Sequence, residues 1–371
     1  MHAMGPPNPF SLLPTGLCAT TSMMENPEAT CLGPAAGQTM ATAPTDTCLT
    51  STESTKVVPP FSIRTFENTD YEGVSLINNR FSPYLSLSPR ELQFTDRNRD
   101  PRCIVQRWVA HVGEVLAGYG VLSQSPEAYS PTRFQFQIYV LPEFEGKGIE
   151  EQLLKAVVGT FQHHKGASLR AVVESTRDRF NSVLDRAGFR PSVKFFDQLL
   201  ELSEAGRAQI DSWIEAAPPG IRFITFAEFR SVPDGDRQIY ELENRIKHDI
   251  PFPDELSMKF DYFQNAILEN PGFLNHGSFI AMDVDRPIGL LYLFQRDENP
   301  VAHVRLTGVL PEYRKRGIAL YLKALSLRYA AQHGFTSVFT RSEESNGAIY
   351  ALNARVGFRN VGTHINWSRA F

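Results

Sequence analysis

Long hydrophobic runs are missing from this 371-residue chain. A membrane helix needs ~20 consecutive apolar residues, so no spanning segment is expected. A basic start followed by an apolar core, the mark of a secretory leader, is missing as well, and the expected location is the cytoplasm. Cysteine is scarce: Cys18, Cys31, Cys48 and Cys103 are the four present, and none stands in the close pairs that zinc sites use. Neither a disulfide framework nor a metal is expected. An excess of one charge is also missing. Against 37 Lys and Arg stand 41 Asp and Glu, a formal net charge of -4, which gives no footprint for nucleic acid or an anionic membrane. What is there is an ordinary globular composition, 42% apolar and 21% charged. The length suits two domains at ~100 to 200 residues each.

Residues 1–57 are rich in Thr, Ala, Pro and Gly and carry neither helix nor strand period. Such a segment cannot bury enough apolar area to offset its ordering entropy, and it is expected to be a disordered extension. Met23, Met24 and Met40 within it are possible alternative starts. Beyond it the chain repeats itself. "YVLPEFEGKGIEEQLLKAVVGTF" from Tyr139 matches "GVLPEYRKRGIALYLKALSLRYA" from Gly308, and "AGFRP" at Ala187 matches "VGFRN" at Val356, all at an offset of 169. Two copies of one domain follow. The expected division is 58–204 for the first copy, 205–220 for a helical linker and 221–371 for the second. The stretch "QLLELSEAGRAQIDSWIEAA" from Gln198 reads as a helix, and Pro218 to Gly220 marks its end.

Within the second copy, "SFIAMDVDRPIGLLYLF" reads as a hairpin about Asp285 and Arg286, and "VAHVRLTGV" as the next strand. Ile318, Leu322, Leu325 and Tyr329 recur at helical spacing up to Gly334. A strand "TSVFTR", a short helix ending at Gly357 and a closing strand complete the copy. Each unit is therefore expected to be mixed α/β, a mostly antiparallel sheet with helices on both faces.

The turn "VLPEYRKRGIA" places Arg314, Lys315, Arg316 and Gly317 where a strand enters a helix. Free amides and the helix dipole favour an anion there, while cations have the wrong sign and cost ~0.3 to 1 kcal/mol each. A bound polyanion explains them. A solvated basic turn is the plainer alternative.

Arg314, two residues, Gly317, one residue and Ala319, after the strand end "TGVLPEY", together resemble the acetyl-CoA signature of the GNAT superfamily of N-acetyltransferases. The resemblance covers both copies and implies a tandem arrangement. It implies that the backbone of Val309 and Leu310 binds acetyl-CoA. The amides of Arg314, Lys315, Arg316, Gly317, Ile318 and Ala319 would hold the pyrophosphate, and Asn346 would face the CoA arm. The implied chemistry is direct attack of an amine on the thioester, with a backbone amide at the oxyanion and no metal.

Many family members carry a tyrosine acid where this chain has Asn353, and asparagine supplies no proton. Tyr350, one turn earlier, is a candidate substitute. His303 is a candidate base, as are Glu241, Glu243 and Asp249 in the segment where the family builds its acceptor site. Each has a plainer reading: a core tyrosine, a structural strand histidine, a solvated helix face. In the first copy Glu145 replaces Arg314, Glu150 replaces Ala319 and Arg177 replaces Asn346, so this copy is expected to bind no acetyl-CoA. The expected function is acetyl transfer from acetyl-CoA to a primary amine, of a small molecule, by the second copy. An inactive acyl-CoA-binding or interaction protein is the alternative. Acceptor identity and oligomeric state carry no readable code.

Overall fold

A computed structural model describes residues 60–248, 258–297 and 299–371. The expected extension 1–57, with Cys18, Cys31 and Cys48, lies outside them, as does Asp249. In the first copy β1 (Phe61–Thr65) is followed by α1 (Tyr71–Phe81), α2 (Pro89–Arg97), β2 (Val105–Val112), β3 (Val115–Ser123) and β4 (Arg133–Val140). Then come α3 (Ile149–His163), β5 (Ser168–Glu174), α4 (Asp178–Arg186) and β6 (Arg190–Glu201), with α5 (Glu204–Glu215) as the connection. The second copy opens with β7 (Arg222–Thr225), α6 (Phe226–Arg230), α7 (Gly235–His248) and α8 (Phe260–Tyr262). It continues through β8 (Phe279–Asp283), β9 (Arg286–Arg296) and β10 (Asn299–Val309). It closes with α9 (Ile318–Gln332), β11 (Ser337–Glu343), α10 (Gly347–Val356) and β12 (Arg359–Ala370).

One correction concerns the connection. Gln198 to Glu201 finish strand β6, and the helix begins only at Glu204, capped by the Ser203 side chain accepting from the Gly206 amide. Serine at a helix start satisfies an amide that has no partner within the helix, which sets the boundary. Gly334 and Gly357 end α9 and α10 in the left-handed conformation (φ 83° and 102°), as their sequence positions lead one to expect.

The twelve strands of the described residues form one sheet, in the order β1-β2-β3-β4-β5-β12-β6-β11-β10-β9-β8-β7. Among the described residues only β4–β5 and β10–β11 are parallel; each is joined by a helical crossover, α3 or α9. Sequence copies and sheet halves do not coincide. β6 of the first copy pairs with β11 of the second, and β12 of the second pairs with β5 of the first. Each copy thus completes its sheet with the other's last strand, a swap of equivalent elements within one chain. β12 and β6 also pair with each other, from Arg359↔Leu199 to Ser368↔Arg190 with two register shifts between, so a ladder crosses the join.

Among the described residues two large apolar cores result, with a smaller cluster of Val74, Ile77, Val109 and Tyr119 beside them. Leu153, Val157 and Phe161 of α3 pack with Phe134, Phe136 and Leu169, and the exchanged strand adds Trp367 to this first core. Ile318, Leu322 and Leu327 of α9 pack with Leu290, Leu291 and Leu293 of β9 in the second. At ~1.5 to 3 kcal/mol for each large apolar side chain fully buried, such stripes supply the main drive for folding. Among the described residues no helix is long and apolar enough to cross a membrane.

Candidate acetyl-CoA slot

β10 stays paired with β11 only from Val301↔Ser337 to Val304↔Thr340, and beyond Val304 the two strands part. Thr340 Oγ1 donates to the Val304 carbonyl at 3.2 Å, the last tie before the gap. The gap is a cavity of about 480 Å³. Thr307, Gly308 and Val309 form one wall, and Asn346, Ile349 and Leu352 at the start of α10 form the other. Ile246 of α7 covers it. A β-carbon on Gly308 would stand 2.1 Å from the Ile246 Cγ2, so glycine is what lets α7 lie this close to the strand.

Along β10 the backbone groups alternate in direction. The Leu310 amide donates to the Ile288 carbonyl at 2.9 Å, on the β9 side, so the Thr307 and Val309 amides face the slot. The Leu310 carbonyl accepts from the Tyr313 amide at 2.9 Å. The Leu310 amide is therefore engaged inside the protein, and its carbonyl keeps one lone pair free. The Thr307 hydroxyl is buried in the slot without a partner among the described residues. A buried hydroxyl normally has one, and a ligand in the slot would supply it.

The turn at the slot mouth separates the three cations. Arg314 folds back, its Nε donating to the Val309 carbonyl at 3.0 Å. Lys315 lines the slot and adopts φ 63°, a left-handed conformation uncommon for a side-chain-bearing residue. Arg316 lies outside, its guanidinium 5.2 Å from the Tyr313 ring centroid. Gly317 precedes α9 at φ 79°, and Ile318 and Ala319 carry the first helical amides into the slot wall. Asn346 caps α10, its Oδ1 accepting from the Ile349 amide at 3.4 Å. Arg355 of α10, absent from the sequence-derived set, also reaches the slot. An apolar channel ending in helix-start amides and basic side chains fits a thioester arm with a pyrophosphate at its far end.

The expected catalytic side chains are not brought together. Tyr350 packs on the exchanged strand, its ring 5.3 Å from Phe196, rather than among the residues lining the slot. Asn353 is fully buried, accepting from Lys323 Nζ and donating to Gln198 Oε1 at 2.8 Å. His303 sits in the paired part of β10 against Phe294, with centroids 5.3 Å apart. Burial, then Arg296 and Arg305, hold its pKa well below the usual histidine value, so it is neutral. Glu241 faces solvent on α7. Glu243 on the same helix is fully buried, accepting from the Tyr292 hydroxyl at 2.5 Å and paired with Lys247 Nζ at 2.6 Å and Arg305 at 3.1 Å. Burial pushes its carboxyl up, but Arg305 and Lys247 outweigh that and leave it below the ordinary value.

A carboxylate that sequence reasoning missed is Glu343. It stands three residues beyond Thr340, the last β11 residue paired with β10, and borders a second cavity of about 860 Å³. Phe195, Ser192 and Asn366 of the exchanged strands also border that cleft.

The first copy repeats the turn but closes the slot. Gly148 has φ 87°, as Gly317 has 79°. Glu150 is buried there, its Oε1 accepting from the Gly146 amide at 3.2 Å, so a carboxylate already takes one of the turn's amides. Arg177 donates to the Ile138 carbonyl at 3.0 Å, and its guanidinium lies 4.8 to 5.1 Å from the ring centroids of Phe81, Tyr139 and Phe180. Ile138 corresponds to Thr307, so Arg177 fills the space that the second copy leaves open.

The acetyltransferase (GNAT) family model matches twice, at residues 70–189 and 237–358. A mycothiol acetyltransferase from Salinispora arenicola is 26% identical over 283 residues, 74% of this chain and 85% of that protein. Among solved structures, a tandem GNAT protein from the clavulanic acid biosynthesis pathway covers 84% of this chain and 98% of its own, at 18% identity and TM-score 0.66. A GCN5-related N-acetyltransferase from Sphaerobacter thermophilus covers 84% and 95%, at 16% identity and TM-score 0.60. Both family matches stop just short of the exchanged strands, and with the doubled slot-and-turn architecture they make this chain a tandem member of the acetyltransferase (GNAT) family, similar in layout to mycothiol synthase.

Proposed function

We propose that the second copy transfers the acetyl group of acetyl-CoA to a primary amine of a small molecule, and that the first copy binds no acetyl-CoA. The observation that carries this is the contrast between the two slots: open beside Thr307, filled by Arg177 beside Ile138. In this reading the amides from Arg314 to Ala319 hold the pyrophosphate, with Lys315 and Arg355 beside it. The pantetheine arm lies between Val309 and Asn346.

The amine attacks the thioester carbonyl, and the slot-facing amides of Thr307 and Val309 stabilise the oxyanion. Collapse releases the CoA thiolate, an acceptable leaving group because a thiol pKa is about 8.5, so no acid is required at Asn353. Glu343, at the border of the cleft, takes the proton lost by the amine. Tyr350, His303 and Glu241 have no role in this mechanism. The acceptor occupies the cleft of about 860 Å³, a size suited to a small molecule. The relatives named for mycothiol and for the clavulanic acid pathway point the same way.

The test is thiol release from acetyl-CoA by the full chain across a panel of small primary amines and lysine-bearing peptides. Amine-dependent release with the small amines alone is the expected result. Release with peptides alone would overturn the substrate class, and release that persists in a Glu343→Gln variant at full rate would remove the proposed base.

A further inference from the structure

Arg305 interrupts the pairing of β10 with β9: Val304 opposes Leu293 and Leu306 opposes Tyr292, which leaves Arg305 as the extra residue of a β-bulge. A bulge bends its strand and raises the local twist. β10 parts from β11 at this same point, after Val304↔Thr340, and the slot residues Thr307 to Val309 begin two positions later. In the first copy β4 runs against β3 without a register shift, from Gly118↔Val140 to Ser123↔Gln135, and Phe136 stands at the place of Arg305. The copy with the closed slot lacks the bulge.

The Arg305 side chain is gripped from two sides. Its Nη1 donates to Glu243 Oε1 at 3.1 Å, and its Nη2 donates to Glu127 Oε1 at 2.9 Å. Glu127 Oε2 in turn accepts from Lys247 Nζ at 2.6 Å. Two cations and two carboxylates form a closed cluster, three of them from the second copy. Glu127 comes from the β3–β4 connection of the first.

Resting on the acetyl-CoA reading of the slot, we propose that Glu127 is a positioning residue. The first copy supplies it to hold Arg305, and with it the bulge that keeps the second copy's slot open. The fork geometry of a guanidinium can bridge two carboxylates, whereas a lysine ammonium at the same place is a shorter point charge. Removing the Glu127 charge leaves two cations against Glu243 alone. Arg305 is then repelled by Lys247 and held from one side.

The test is hydrogen exchange of the full chain, read at the amides of residues 304–309, with acetyl-CoA titration by calorimetry on the same samples. Glu127→Gln is expected to speed exchange in this segment at least ~10-fold relative to β8 and β9, and to weaken acetyl-CoA binding by about the same factor. Arg305→Lys, which keeps the charge and loses the fork, should do the same, and the double variant should be no worse than either alone. Glu114→Gln, an exposed turn residue of the same copy, serves as the control. Uniformly faster exchange throughout the second copy, or unchanged acetyl-CoA binding in Glu127→Gln, would overturn the proposal in favour of general stability. A wild-type chain that binds no acetyl-CoA would sink the proposed function. The exchange pattern at residues 304–309 would still decide whether Glu127 holds the bulge.

Discussion

A Gly317→Glu variant will lose acetyl-CoA binding by more than two orders of magnitude while keeping its fold. Gly317 lies at φ 79°, and the nearest atom to an added β-carbon is Pro218 Cγ at 3.9 Å, so there is room for a side chain. The left-handed conformation costs a side-chain-bearing residue ~1 to 2 kcal/mol, a modest loss for a chain with two full cores. The carboxylate, however, would enter the turn whose amides receive the pyrophosphate. Two like charges 4 Å apart at an effective dielectric of 20 repel by ~4 kcal/mol, nearly three decades of affinity. Gly317→Asn separates charge from backbone strain, because asparagine tolerates this conformation and carries no charge. Its binding should fall by less than about tenfold. Calorimetric titration of both variants, with circular dichroism as the check on folding, reads the difference. Equal losses in the two would assign the effect to the backbone and not to anion repulsion.

The second large effect is on stability. Lys323 of α9 is completely buried, with Asn353 Oδ1 as acceptor and the Phe358 ring 4.9 Å away. Burial lowers its pKa from 10.5 to about 7. The unfolded chain binds this proton up to pH ~10 and the folded chain only up to about 7, so between those values the unfolded state holds more protons and stability rises with pH. The contribution is complete above the unfolded pKa, is lost as pH falls toward the folded one, and stays lost below it. At 1.36 kcal/mol per unit the span is on the order of 3 to 5 kcal/mol. Lys323→Met removes the titration and leaves the Asn353 oxygen without its donor, a cost of ~1 to 3 kcal/mol. The variant should therefore be more stable than wild type at pH 6 and less stable at pH 10. Urea unfolding across that range measures the crossing. A stability gap that does not change with pH would show that Lys323 keeps an ordinary pKa.

Much of this architecture is legible in the sequence because it is local. The repeat, the hairpin about Asp285, the stops at Gly334 and Gly357 and the turn through Gly317 each depend on residues close together in the chain. The exchange of β6 and β12 is not legible. Both strands follow their own copy without interruption, and whether "FRNVGTHINWSR" pairs with its own β11 or with β5 is decided by contacts far away in sequence. Gln198 to Glu201 reads as helix because it lacks β-branched residues and runs into a true helix; pairing with β11 and β12 overrides that propensity. Leu310 was expected in the site because the strand splays near it, but alternation along β10 turns its amide toward Ile288. Arg355, Ile246 and Glu343 enter the slot and the cleft from α10, α7 and β11, by packing that no short motif encodes. The proposed closure of the first copy rests on two kinds of signal: the charge reversal at Glu145 and Glu150 is visible as sequence, while the placement of Arg177 among three aromatic rings needs the structure.

The most direct measurement of whether one copy binds and the other is closed is the stoichiometry of acetyl-CoA on the full chain, by calorimetry, beside Gly148→Glu and Gly317→Glu. One site per chain, kept in Gly148→Glu and lost in Gly317→Glu, is the predicted result. Two sites, or a single site lost in Gly148→Glu, would contradict it.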